Sequence, residues 1–203
     1  MTKDEFNTKI WQFYLQLEDD FYSTLRYVEF SNDNFSTYSK EYTKQLLSIG
    51  SEVDIVCKAL CERVNADAQR KNITDYAKIL CGYNGLTDAK VSVNLTKEEF
   101  IPFAGWSEAD SPFWWKAYNE IKHGRLDDDN HKKGSLKNVY TTLAGLFVLN
   151  RYLCKDICRG KTMQEPEECS KLFKMVGWPI RKSLGSGFMQ AVSGNGNLSL
   201  IHE

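Results

Sequence analysis

The chain has 203 residues, the size of one ordinary domain with at most a small appendage. Hydrophobic residues at 42% and charged residues at 26% exclude a disordered tail, and a chain this long buries roughly 70% of its unfolded surface without help from a disulfide or a metal. Lys+Arg at 26 and Asp+Glu at 27 leave a net charge of −1, which excludes a protein that is basic overall.

That charge is unevenly spread. Residues 1–110 hold 12 basic and 18 acidic side chains, a charge of −6, whereas residues 111–203 hold 14 and 9, a charge of +5. The second half therefore suits an anionic partner better than the first. The opening MTKDEFNTKIWQFYL has acidic residues where a signal peptide is basic. The longest apolar stretch, Leu143–Leu149 with Ala and Gly counted, falls far short of the roughly 20 residues of a membrane span. A cytoplasmic protein without membrane contact is expected, with the six cysteines (Cys57, Cys61, Cys81, Cys154, Cys158, Cys169) as thiols.

In chain order, Ile10, Tyr14, Leu17, Phe21, Leu25 and Val28 recur at spacings of three and four. They predict a long first helix that stops at the turn formers SNDNFST. Tyr38, Tyr42, Leu46, Ile49, Val53, Val56 and Leu60 predict a second long helix, capped by Ser36 or Thr37. Gly50 lowers helix propensity by about 1 kcal/mol, yet the seam runs through it. The two helices are expected to pack antiparallel. ITDYAKILCG predicts a short helix over 73–82, and the alternation of Val91, Val93 and Leu95 before Phe100, Ile101 and Phe103 predicts a small hairpin.

Pro112 suits a helix start in DSPFWWKAYNEIKHGR, with Ser111 or Asp110 as its cap. After the loop LDDDNHKKGS comes a helix of about twenty residues, SLKNVYTTLAGLFVLNRYLCKDICRG, apolar on every side and hence buried, which Gly160 can close. Beyond Lys161 prolines and glycines break the chain up. The Asn195–Gly196 pair in AVSGNGNLSL predicts a hairpin there. The expected fold is all-α, an antiparallel bundle of four to five main helices over residues 1–160, with 161–203 as a β-hairpin extension of the same domain.

WWKAYNEIKHGR is the densest group of side chains able to do chemistry. On a helix Asn119 and His123 share a face, with Trp115 one turn earlier and Lys122 alongside. Trp114, Tyr118 and Ile121 form a more apolar stripe that packs inward, and both tryptophans are expected to pack rather than stack on bases. Arg125 follows the helix end.

At these residues, and with a likeness that extends over roughly residues 5–155, the chain resembles the HEPN superfamily of all-helical, often dimeric domains. Many of its members are metal-independent ribonucleases of toxin–antitoxin, phage-defence and CRISPR systems. Their motif is an arginine followed after four to six residues by a histidine, often with a polar residue next to the arginine. YNEIKH aligns with it, Asn119 at the polar position and His123 at the histidine, but Tyr118 stands where the arginine belongs.

The resemblance implies an RNA-binding homodimer with His123 as general acid–base, Asn119 beside it, and Lys116 or Arg125 steadying the phosphate. Lys122, Arg125, Tyr118, Lys132 and Lys133 would contact RNA. A tyrosine supplies neither a permanent cation nor a guanidinium fork, so a second expectation is a catalytically inactive module. That module would assemble with itself or with a partner protein such as an antitoxin or defence component.

No metal is expected. CKALC and CKDIC each set two thiols four apart, where inert buried thiols are the simpler reading. Asp127, Asp128, Asp129 and His131 read as a solvated acidic loop before a divalent-ion site. No phosphate-cradling glycine loop, Ser–His–Asp set or dinucleotide fingerprint is present, so no cofactor is expected.

Overall fold

Ile10, Tyr14, Leu17 and Phe21 are buried, as their spacing requires, and the computed structural model places all four on one rod. The structure describes residues 1–161 and 164–178, and beyond them the backbone of three short strands. The rod comprises α1 (Lys3–Phe6), a π-helical segment (Asn7–Trp11) and α2 (Gln12–Thr24). Thr2 and Glu5 close a capping box at its start, each side chain bonded to the other's backbone N–H. The rod ends at Thr24, one turn earlier than the apolar spacing predicts. There the Thr24 hydroxyl donates to the Phe21 carbonyl, and Leu25 and Val28 continue in turns, half-buried.

Next comes α3 (Lys40–Val64), capped by Ser39, whose hydroxyl accepts from Tyr42 N–H. The expected cap was Ser36 or Thr37. Tyr42, Leu46, Ile49, Val53, Val56 and Leu60 are all sealed in the core. Tyr38 is not on the helix, being paired instead in a β-bridge with Ser135. The short helix α4 (Ile73–Leu80) follows, then α5 (Phe113–Gly124) and α6 (Leu136–Ile157). Pro112 itself is the cap residue of α5, not Ser111 or Asp110. Every residue from Val139 to Asn150 is buried, so α6 is the central post of the molecule.

As expected, α2 runs antiparallel to α3: the Gln45 amide near the start of α3 donates to the Asp20 carbonyl near the end of α2 (3.1 Å). The helices α3 and α6, which share the largest interface, are instead parallel. Their N-termini are tied together, Ser39 N–H donating to Gly134 C=O and Leu136 N–H to Thr37 C=O. Their far ends meet where Arg63 Nε binds Asp156 (2.5 Å).

Asp156 also accepts from Tyr83 (2.9 Å) and pairs with Arg159. Burial raises the Asp156 carboxyl pKa, but the Arg63 and Tyr83 hydrogen bonds and the charges of Arg63 and Arg159 outweigh it, so the group sits below the usual carboxylate range. A depressed folded pKa gives stability that is fully present above the unfolded value of about 4 and lost as pH falls through the folded one. Asp156→Asn is therefore expected to lower the melting temperature at pH 7, by a gap that narrows below pH ~4. Thermal melts at stepped pH check this, and a gap constant to pH 3 would count against it.

The strands differ from expectation in number. β1 (Val91–Val93) pairs with β2 (Glu99–Phe100), Val91 opposite Phe100, as the predicted hairpin. The other edge of β1 takes β3 (Phe173–Met175), antiparallel, with Val93 opposite Phe173. A second antiparallel sheet joins β4 (Ile180–Leu184), β5 (Gly187–Ala191) and β6 (Ser199–Leu200). The Asn195–Gly196 turn predicted between β5 and β6 lies outside the described residues.

The segment before β3 is fastened to α2 by a buried carboxylate. Glu18 is fully buried. It accepts from the Tyr14 hydroxyl (2.7 Å), the Ser170 hydroxyl and the backbone N–H groups of Lys171 (2.7 Å) and Leu172 (3.2 Å).

Candidate nucleic-acid interface

The helix that carries Asn119 and His123 is held by two large rings set against glycines. The Trp114 indole N–H donates to Pro102 C=O (2.7 Å), and its ring lies where a β-carbon on Gly145 would come within 2.8 Å. Tyr118 lies flat on α3, where a β-carbon on Gly50 would fall 2.3 Å from the ring. That close approach is why the second helix carries a glycine within its apolar seam. Trp115, expected on the face of Asn119 and His123, is buried as well, 5.0 Å from the Tyr118 ring.

The opposite face of α5 is open. His123 and Lys116 are exposed and Asn119 is half-buried, so imidazole and amide share a helix face at the surface. Tyr118 is 4% exposed, which corrects its expected contact with RNA: the side chain is core. Lys122 lies over the Tyr118 ring, 5.3 Å from its centre.

Several expected cations are occupied locally. Lys116 pairs with Asp110 (2.7 Å), Lys132 with Asp129 (2.8 Å) and Lys133 with Glu120 (3.2 Å). Lys116 holds the Asp110 carboxyl below the usual range, and Asp129 pushes Lys132 upward. Among the described residues Lys122 and Arg125 form no such ion pair.

Arg125 belongs to a groove that local sequence does not reveal. It and His131 leave the α5–α6 loop to face Tyr38, Lys40, Lys44 and Leu47, across a volume of about 770 Å³. No carboxylate lines this groove. Lys40, Lys44 and Leu47 are spaced by four and three on α3, so one helical stripe delivers two ammonium groups and an apolar floor. Lys44 shares its charge with Glu41 (3.2 Å, both exposed), whereas Lys40 forms no ion pair among the described residues. The Lys40–Lys44–Leu47 stripe is legible in the spacing on the polar side of α3, whereas its meeting with Arg125 and His131 is not.

Neither Asn119 nor His123 lines the groove, although the loop that carries Arg125 begins directly after their helix. Asp127, Asp128 and Asp129 are exposed. Among the described residues no group of three or more His, Cys, Asp or Glu side chains is placed to hold a metal ion. The paired thiols are buried: Cys61 and Cys154 are each pushed up to about 12 by desolvation, and Cys57 also lies well above the usual thiol range. Such thiols are poor nucleophiles. No described helix is long and apolar enough to cross a membrane. No protein-family model, no curated protein and no solved structure matches the chain.

Proposed function

We propose that this is an HEPN-like helical protein that binds RNA, with phosphates held by Lys40, Lys44 and Arg125 and the Asn119–His123 face of α5 close by. The observation that carries this reading is the groove lined by three cations and no carboxylate, of which Lys40 and Arg125 form no ion pair among the described residues and Lys44 is shared with Glu41 at the rim. Two of the cations come from one helix and the third from the loop that follows the resemblance motif. A polyanion gains from such a groove by releasing condensed counterions, and base contacts are not needed for that gain.

Neutralising about three phosphates predicts a log–log salt slope near −2 for a single strand. Titration of a labelled single-stranded RNA by fluorescence anisotropy, at salt from 50 to 300 mM, is expected to show that slope. Lys40→Glu with Arg125→Glu is expected to weaken binding tenfold or more. Binding that ignores both salt and these substitutions would sink the proposal.

If RNA is cut as well as bound, His123 is the general acid–base group. EDTA-treated protein and labelled RNA then distinguish wild type from His123→Ala, and equal cleavage by both would remove His123 from the chemistry. A second reading, an interaction module that assembles with itself or with a defence or antitoxin partner, is favoured by one observation. The position of the motif arginine is filled by a ring buried in the core. Light scattering of the protein with and without RNA separates the two: a salt-insensitive dimer indifferent to RNA supports the module.

A further inference from the structure

Besides its cations, the groove holds two aromatic rings. Tyr38 is 48% exposed, yet its backbone is fixed by the bridge to Ser135 and by the Ser39–Gly134 and Thr37–Leu136 hydrogen bonds on either side. Its ring meets the His131 ring at 5.6 Å and 78°. Two nearly perpendicular rings make a corner, so a flat group stacked on one wall turns its edge toward the other. Leu126, 90% exposed, and Leu47 add apolar surface to the same groove. Three cations alone serve any polyanion. An exposed aromatic corner beside them, one wall of it on a fixed backbone, serves one whose flat faces are free.

We infer that the groove takes an unpaired nucleobase into the Tyr38–His131 corner while Lys40, Lys44 and Arg125 hold the adjoining phosphates, so that the preferred ligand is single-stranded. This rests on the RNA-binding reading above and deepens it. A base inside a duplex has both faces stacked on neighbours and cannot enter the corner, whereas a single strand offers its faces freely. The volume of about 770 Å³ suits a nucleotide-sized group.

The experiment titrates the full chain with three labelled probes: a 12-nucleotide single strand, the same strand in a blunt duplex, and a 12-nucleotide strand with abasic sites at its central positions. Wild type is expected to bind the intact strand about tenfold more tightly than either the abasic strand or the duplex, and a duplex bound as tightly as the intact strand would overturn the preference. Tyr38→Ala is expected to erase that preference by weakening the intact strand about tenfold while leaving the abasic strand unchanged. Tyr38→Phe, which keeps the stacking face, is expected to behave as wild type. Equal losses on both strands, or no loss on the intact one, would overturn the inference. Salt-dependent binding that ignores the bases overturns the stacking corner alone, whereas no binding of any probe at low salt overturns the RNA-binding reading itself.

Discussion

Replacing Tyr118 with arginine, the substitution that would complete the Arg-Asn-x-x-x-His pattern on which the proposed function draws, is expected to destabilise the protein and to create no nuclease. The side chain at 118 is 4% exposed, packs on the backbone of Gly50 and touches Trp115. A guanidinium there gives up water for aromatic and backbone neighbours. It also sits beside Lys122, whose ammonium already lies 5.3 Å from the centre of the present ring. A buried charge without a counter-ion costs about 3–5 kcal/mol, although part of that is recovered where a long side chain reaches the surface. For a chain of this size the melting temperature then falls by about 10 °C. Tyr118→Phe, which keeps the packing ring, is expected to stay within about 1 kcal/mol of wild type. Thermal melts of both variants, with an RNA cleavage assay in EDTA, decide the matter. An arginine variant as stable as wild type, or one that gains His123-dependent cleavage, would show that position 118 opens to the site.

The core stripe of α3 could be read because burial along a helix repeats every three to four residues. The same stripe misled at Tyr38: Ser39 caps the helix, and Tyr38 belongs to a bridge whose partner, Ser135, is remote in sequence. The parallel run of α3 and α6 was equally hidden, because the chain makes a long excursion between them and no local pattern sets their direction. β3 pairs with a strand some eighty residues away, and three apolar-leaning residues give too weak a local signal.

The candidate site divides in the same manner. A helical face carrying Asn119 and His123 follows from spacing alone. The cations grouped by sequence proximity do not converge, because acids near them in sequence pair with them: Asp110 with Lys116, Asp129 with Lys132 and Glu120 with Lys133. The groove draws instead on residues 38–47 and 125–131, two segments brought together by the paired starts of α3 and α6.

A charged residue between Leu17 and Phe21 reads as the solvent side of a helix, yet Glu18→Ala is expected to be among the most destabilising single changes in the chain. The carboxylate is fully buried and accepts four hydrogen bonds, two of them from backbone N–H groups of the strand-bound segment at Lys171 and Leu172. Alanine removes the acceptor and leaves those donors inside. Each orphaned donor costs about 1–3 kcal/mol, so allowing for relaxation the loss is about 3–5 kcal/mol.

The loss also has a location. The Glu168 carbonyl accepts from the Trp11 indole (3.0 Å), the Glu168 carboxylate from Gln12, and the Ser170 hydroxyl from Phe173 N–H (2.9 Å). Glu18 is thus the centre of a seam that fastens residues 168–173, and through them β3, onto α2. Urea unfolding should show the reduced stability, and limited proteolysis should cut first near residues 165–175, before any site in α3 or α6. Glu18→Gln keeps one acceptor oxygen but turns an amide N–H₂ toward groups that donate, so its loss should fall between alanine and wild type. An alanine variant within 1 kcal/mol of wild type, with no new cleavage in that segment, would mean that the carboxylate is not what holds it.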